Sequence, residues 1–350
     1  MQITQLLNIE LPIIQAPMAG VQGSALALAV SQAGALGSLP AAMLDAQTLR
    51  SELERIRQHT AKPYNVNFFC HQATPFDLPQ EQRWRQHLRP YYQAFGLSEP
   101  AMPLAPTRMP FDASMAAVLE PFAPPVVSFH FGLPDAALVL RAKAWGARIL
   151  SSATTLEEGL WLQAHGVDAV IAQGLPAGGH RGHFLAPDLR GQMDTLELVR
   201  QLVAQLQVPV IAAGGIASAD GVQAALQAGA SAAQIGTAYL LCPQAGTSPL
   251  HRQALQHAAR QPDATHTATA LTNVFTGRPA RGLPNRAMRE LGPLCPDAPV
   301  FPWASTAMAP LRQHAEALGS SDFSPLWSGS NTSGCAEIDA GELTRQLAGR

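Results

Sequence analysis

The stretch QGLPAGGHRGHF fills residues 173–184 and directly follows the apolar run VDAVIA at 167–172. A short apolar run of this kind reads as a buried strand. Gly178 and Gly179 then remove side chains where the chain has to turn, and His180 follows them on the loop. Glycine permits positive φ and lets backbone N–H groups come close to an anion or a ring. Two later stretches repeat the pattern: VPVIAAGGI at 208–216 and AAQIGTAYL at 232–240. Each is an apolar run ending in glycine, with helical sequence after it. Three consecutive strands that end in glycine loops predict one shared ligand site at the carboxyl ends of parallel strands.

Working outward, the same alternation covers most of the chain. Strands are predicted at 11–20, 35–40, 63–70, 126–132 and 148–153, ahead of those at 169–173, 210–213 and 233–236. Helices are predicted between them: Ser24 caps one, Leu49, Leu53 and Ile56 share one side of another, and Thr155 opens a third with Glu158 at capping-box spacing. Eight strand–helix units of similar length predict an α/β fold, a (β/α)8 TIM barrel, rather than an open sheet. No GxGxxG follows the first strand, which counts against a dinucleotide fold. Residues 71–125 break the pattern with ten prolines and two helical pieces, at 80–94 and 113–119. That is longer than an ordinary connection and predicts an insertion after strand 3 that covers the mouth. After Leu241 the repeat stops. The division expected is a barrel over 1–245 and, over 246–350, a mostly helical C-terminal lid or extension packing back on it.

Composition narrows the functional classes. With 47% hydrophobic and 14% charged residues in 350, a large buried core is expected. A net charge of −2 gives no reason to expect nucleic acid or an anionic membrane as partner. Cys70, Cys242, Cys295 and Cys335 are far apart and form no CxxC, against a zinc site or a disulfide scaffold. The N-terminus MQITQLLNIELP lacks a basic start and a long apolar run, and no stretch of about 20 apolar residues exists to span a membrane. A reducing cytoplasm is the expected compartment.

The loops after strands seven and eight of a barrel form a phosphate site with the N-terminus of a short helix. Gly214 and Gly215 keep Cβ atoms out of such a site, and the Thr237 hydroxyl can donate into it. His180 reads as a general base, a hydrogen-bond donor to substrate, or a structural residue. His183 makes HRGH, which suggests a metal, but no third ligand has convincing spacing, so none is expected. His130, at the end of strand four, points near the mouth or is a buried structural histidine. Asn67 binds a ring carbonyl or caps a loop; Met18 packs on a flat ring or belongs to the core. Arg278 and Arg281 bind a carboxylate, or at least one of them sits on a solvated turn.

At these residues the chain resembles a known family. QAPMAG (15–20), NVNFF (65–69), SFHFG (128–132), QGLPAGGHRG (173–182), AAGGI, QIGTAYL and GRPARG (277–282) are similar to nitronate monooxygenase, formerly 2-nitropropane dioxygenase, and closest to its class I enzymes. The resemblance implies non-covalent FMN with its phosphate at Gly215, Gln234, Gly236 and Thr237. It implies Met18, Asn67, Gln173 and Gly178 around the isoalloxazine and His180 as catalytic base, with His130 and His183 as candidate substrate contacts. The implied activity is oxidation of alkyl nitronates, notably propionate 3-nitronate, with O2, through one-electron transfer to flavin. A monomer or homodimer is expected. Two other readings stay open: an NAD(P)H-dependent flavin reductase of quinones or enoyl thioesters on the same barrel, and a non-catalytic phosphate-binding barrel.

Overall fold

A computed structural model describes residues 2–350. Eight parallel strands form the barrel: β1 (Ile13–Gln15), β2 (Gly37–Pro40), β3 (Tyr64–Phe69), β4 (Val126–His130), β5 (Arg148–Ala153), β6 (Ala169–Gln173), β8 (Val210–Ala213) and β9 (Ala232–Ile235). Their order is β1-β9-β8-β6-β5-β4-β3-β2. The remaining gap, between β1 and β2, is bridged at Ile14 and Leu36: Gln15 N donates to Leu36 O at 2.9 Å and Leu36 N to Ile13 O at 3.0 Å. The missing number, β7 (Gly179–His180), belongs to another sheet, so the barrel's seventh and eighth strands are β8 and β9. β1 is much shorter than the apolar run that predicts it, because Pro12 and Pro17 flank it and neither can donate to a ladder.

The barrel interior is layered. At the amino ends of the strands lies an apolar plug that includes Ile14, Leu36, Val126, Leu150 and Ile211. Ile3 and Leu7 of a short helix, α1 (Ile3–Leu7), join this plug and close that end. No periodicity in the sequence marks α1, which is five residues long and has no side-chain cap. Above the plug the interior turns polar. Asn65 Nδ2 donates to Ser38 Oγ at 3.0 Å and Ser128 Oγ at 2.8 Å, and Ser38 N donates to Gln15 Oε1 at 2.9 Å. Buried polar groups persist where they find such partners, and here they stiffen the layer under the strand ends.

The insertion contributes α4 (Leu78–Ala94) and α5 (Ala113–Leu119). α4 does not pack on the barrel's main core. Its Trp84, Leu88 and Tyr92 share a second core with Val274, Phe323 and Leu311 of the C-terminal region, and Tyr92 Oη donates to Ala307 O at 2.6 Å. The last helix, α13 (Ala340–Leu347), packs between the barrel's outer helices Ser24–Gln32 and Ala219–Gln227, where Leu343 and Leu347 are buried with Val30 and Val222. Thr155 caps its helix as predicted, accepting from Glu158 N at 3.3 Å. The fully buried Glu158 carboxylate does not return to Thr155 N but binds elsewhere. Oε2 accepts from Thr154 N and Oγ1, and Oε1 from Phe184 N and Leu185 N, so it fastens the loop after β6. Among the described residues no helix is long and apolar enough to cross a membrane.

Candidate active site

At the carboxyl ends of the strands lies a cavity of about 210 Å³. A single buried water needs roughly 10–15 Å³, so this is space for a ligand. Of the residues singled out in the sequence, Met18, Asn67, His130, Gln173, Gly178, His180, Gly215, Gln234, Gly236 and Thr237 all line it. His183 does not: it is buried behind the loop with Nδ1 unpartnered. No group of three or more metal-ligating side chains occurs among the described residues.

The loop after β6 is held from several directions. β7 pairs antiparallel with β11 (Ala280–Gly282), which pairs in turn with β10 (Ala270–Thr272), so His180 is fixed by a small sheet from the C-terminal region. Gln173 spends both ends of its amide on the loop, Nε2 donating to His180 O at 2.9 Å and Oε1 accepting from Gly182 N at 2.8 Å. His130 Nε2 is 3.1 Å from the same carbonyl and Nδ1 is 2.5 Å from Ser152 Oγ. A carbonyl can only accept, so Nε2 carries the proton and Nδ1 accepts from the serine. His130 thus braces the backbone of His180.

Arg278 and Arg281 correct the expectation of a solvated turn, since both are tied to backbone carbonyls, and neither lines the cavity. Arg278 donates to Arg181 O at 3.3 Å and to His183 O, and its guanidinium lies 4.1 Å from the Phe131 ring centroid. Arg281 donates to Leu175 O at 2.7 Å and to Thr269 Oγ1 at 3.1 Å. Both are spent on fastening loops.

His180 Nε2 lies 2.9 Å from Thr276 Oγ1, and its ring sits 5.5 Å from the rings of Phe301 and Trp327. Burial, then the positive charge of Arg108, then His130, Arg278 and His71 hold its pKa well below the ordinary value of 6.5. Burial likewise brings His130 to about 3 and His71 and His183 to about 4. The site therefore offers a neutral imidazole at any pH near 7.

Another part of the cavity wall has different chemistry. Gly236 precedes a 3-10 turn at Thr237–Leu241, whose first amides have no partner within the turn. Thr237 Oγ1 accepts from Gly329 N at 2.9 Å, which leaves its own proton free to donate. Gln234 Oε1 and His251 Nε2, both lining the cavity, are buried without a partner. Buried orphans of this kind call for a ligand that can satisfy them. Gly215 has φ +71°, and a Cβ there would stand 3.0 Å from Pro176.

Residues invisible to the sequence reading complete the wall. Arg108 comes from the insertion; Trp327, Gly329 and Asn331 come from the C-terminal tail. The tail ties three barrel loops together: Gly329 to Thr237, Ser330 N to Pro176 O at 3.0 Å, and Asn331 Nδ2 to Gly215 O at 2.9 Å. A Cβ on Gly178 would lie 2.5 Å from Gly329 N, so that glycine makes room for the tail as well as lining the cavity. The one advance signal was the run WSGSNTSG at 327–334, whose small and polar residues mark a close-packed loop but not its location.

A family model described as nitronate monooxygenase matches residues 1–349. A nitronate monooxygenase of Pseudomonas aeruginosa is 42% identical, over 99% of this chain and 97% of its own. The crystal structure of nitroalkane oxidase from Streptomyces ansochromogenes superimposes with a TM-score of 0.87 at 37% identity, covering 99% of this chain and 96% of that one. FabK from Thermotoga maritima, at 24% identity and a TM-score of 0.68 over 99% and 94% of the two chains, shares the fold.

Proposed function

The chain belongs to the nitronate monooxygenase family, and from that premise we propose that it binds FMN and oxidises alkyl nitronates with O2. The observation that carries this reading is one cavity lined by two unlike groups. One is a neutral imidazole, and the other an open 3-10 turn with a free hydroxyl proton. FMN fits the donor set. Gly215, Gly236 and Thr237 would receive its phosphate, Gln234 would accept from its polar groups, and Met18, Asn67, Gln173 and Gly178 would surround its ring system. When bound, FMN supplies the electron acceptor for the substrate anion and the means of passing electrons to O2.

What the chain's own residues do follows from their positions. Thr276 Oγ1 also stands 3.4 Å from Arg278 O. Donating there, it accepts from His180 Nε2–H, which leaves Nδ1 as the bare nitrogen. Nδ1 takes the α-proton from a neutral nitroalkane, and the resulting imidazolium pairs with the nitronate it has formed. His130 and Gln173 keep the imidazole in place through its own backbone carbonyl. Phe301 and Trp327 limit water around it.

The test is anaerobic mixing of the purified yellow protein with propionate 3-nitronate or NADH. The expected result is loss of flavin absorbance with the nitronate and none with NADH. Bleaching by NADH alone would make the chain a flavin reductase, and a protein purified colourless that fails to take up added FMN would make it a binding barrel.

A further inference from the structure

Arg108 is the only Arg, Lys, Asp or Glu side chain lining the cavity among the described residues. Its Nη1 is buried and has no hydrogen-bond partner. Its Nη2 reaches only Met43 Sδ, at 4.0 Å, and a thioether is a weak acceptor. Burial and then the like charge of Arg312 pull its pKa down, and no carboxylate offsets them. Other buried and half-buried arginines here are provided for. Arg85 pairs with Glu81 at 2.7 Å, and Arg181, Arg278 and Arg281 donate to backbone carbonyls. A half-buried guanidinium whose enclosed Nη1 has neither counter-ion nor acceptor is costly, and an incoming anion removes that cost.

The position of the guanidinium indicates which anion. It lies 5.5 Å from the Phe301 ring centroid, and that ring lies 5.5 Å from the His180 ring. Cation and imidazole are thus neighbours of the same ring. A substrate with its reacting carbon at His180 places at Arg108 a group a few bonds along its chain, not the reacting group itself.

We propose that Arg108 is a specificity-determining residue that receives the carboxylate of a short, carboxylate-bearing nitronate. This rests on the nitronate reading above, and the test separates the two. Arg108→Met keeps the length of the stem and removes the charge; Arg108→Lys restores the charge without the fork. The substrates are propionate 3-nitronate and propyl-1-nitronate, which carries a methyl group where the former has its carboxylate. For the methionine variant the KM for propionate 3-nitronate rises about 10- to 100-fold, the size of a lost charge-assisted hydrogen bond. The KM for propyl-1-nitronate changes less than about threefold, kcat is kept on both, and lysine recovers part of the loss. Equal rises on both substrates, or no rise on either, would overturn the assignment.

A binding measurement stands free of turnover. By calorimetry on the FMN-loaded protein, succinate, which mimics the dianion, binds the wild type more tightly than butyrate does, and Arg108→Met abolishes that preference. Failure of wild-type protein to prefer succinate overturns the proposal even if nitronates are oxidised. An Arg108-dependent preference in a protein that oxidises no nitronate overturns only the functional reading.

Discussion

His180 shows how much a single residue's chemistry depends on its surroundings. Its place on a glycine loop after an apolar run is legible in the sequence, because strand periodicity and turn residues are local signals. Its protonation state is not, since the groups that depress its pKa come from the insertion, from β4 and from the loop before β11. The sign is clear: a folded pKa below 6.5 means that the imidazole is unprotonated at pH 6.5 and stays so at lower pH. Activity on neutral nitroalkanes should therefore hold steady between pH 7.5 and 6, where a free imidazole would lose its base form. His180→Asn keeps a polar side chain but cannot take up a proton. On neutral nitroalkanes it should lose about 10²–10⁴-fold in rate, keep its FMN, and retain much of its activity on pre-formed nitronates. Oxygen consumption with both substrate forms at one pH decides the matter. Equal losses would make His180 a substrate-binding group, and no loss on either form would assign it a structural role.

At the level of elements, the glycine-ended loops after β8 and β9 both line the cavity, but their glycines differ in kind. Gly215 has a positive φ and a close neighbour in Pro176, so any side chain there strains the loop whether or not a phosphate is present. Gly236 has φ −116°, and a Cβ there meets only Ala16 and Met18 at 3.4 and 3.5 Å. It is the cleaner probe. Gly236→Val should leave the fold intact while its γ-methyl groups take up space in the cavity, cutting FMN occupancy by at least about tenfold. The ratio of flavin to protein absorbance after purification, with circular dichroism as the control for folding, checks this. Full occupancy would place the phosphate elsewhere. The sheet formed by β7, β11 and β10 has no comparable advance signal. Its strands are two or three residues long, too short for alternation to show, and they pair only because the C-terminal region returns to the barrel.

For the whole molecule, the buried neutral histidines set the response to acid. His130, His71, His183 and His251 all have folded pKa values of about 3 to 4, lowered chiefly by burial, against an ordinary value of 6.5. As pH falls from 6.5 towards 4, the unfolded chain takes up protons that the folded chain refuses, so stability is full above that window and declines through it. Thermal melts at pH 7, 6 and 5 should show a falling Tm, and His183→Leu, which lies outside the cavity, should flatten the slope. An unchanged slope would mean that His183 titrates in the folded protein. The sequence by itself determined the barrel and the gathering of its glycine-ended loops around one cavity at the strand ends. Apolar periodicity, proline and glycine punctuation and helix caps act over a few residues, and each of them can be read in place. Only the tertiary structure decided what faces that site. Thr276 reaches His180 across 96 residues and Asn331 reaches Gly215 across 116, while Arg108 enters from a proline-rich insertion that no periodicity describes. Contacts between such distant segments arise from how packed surfaces fit and which buried polar groups find partners, and neither leaves a pattern in the local sequence.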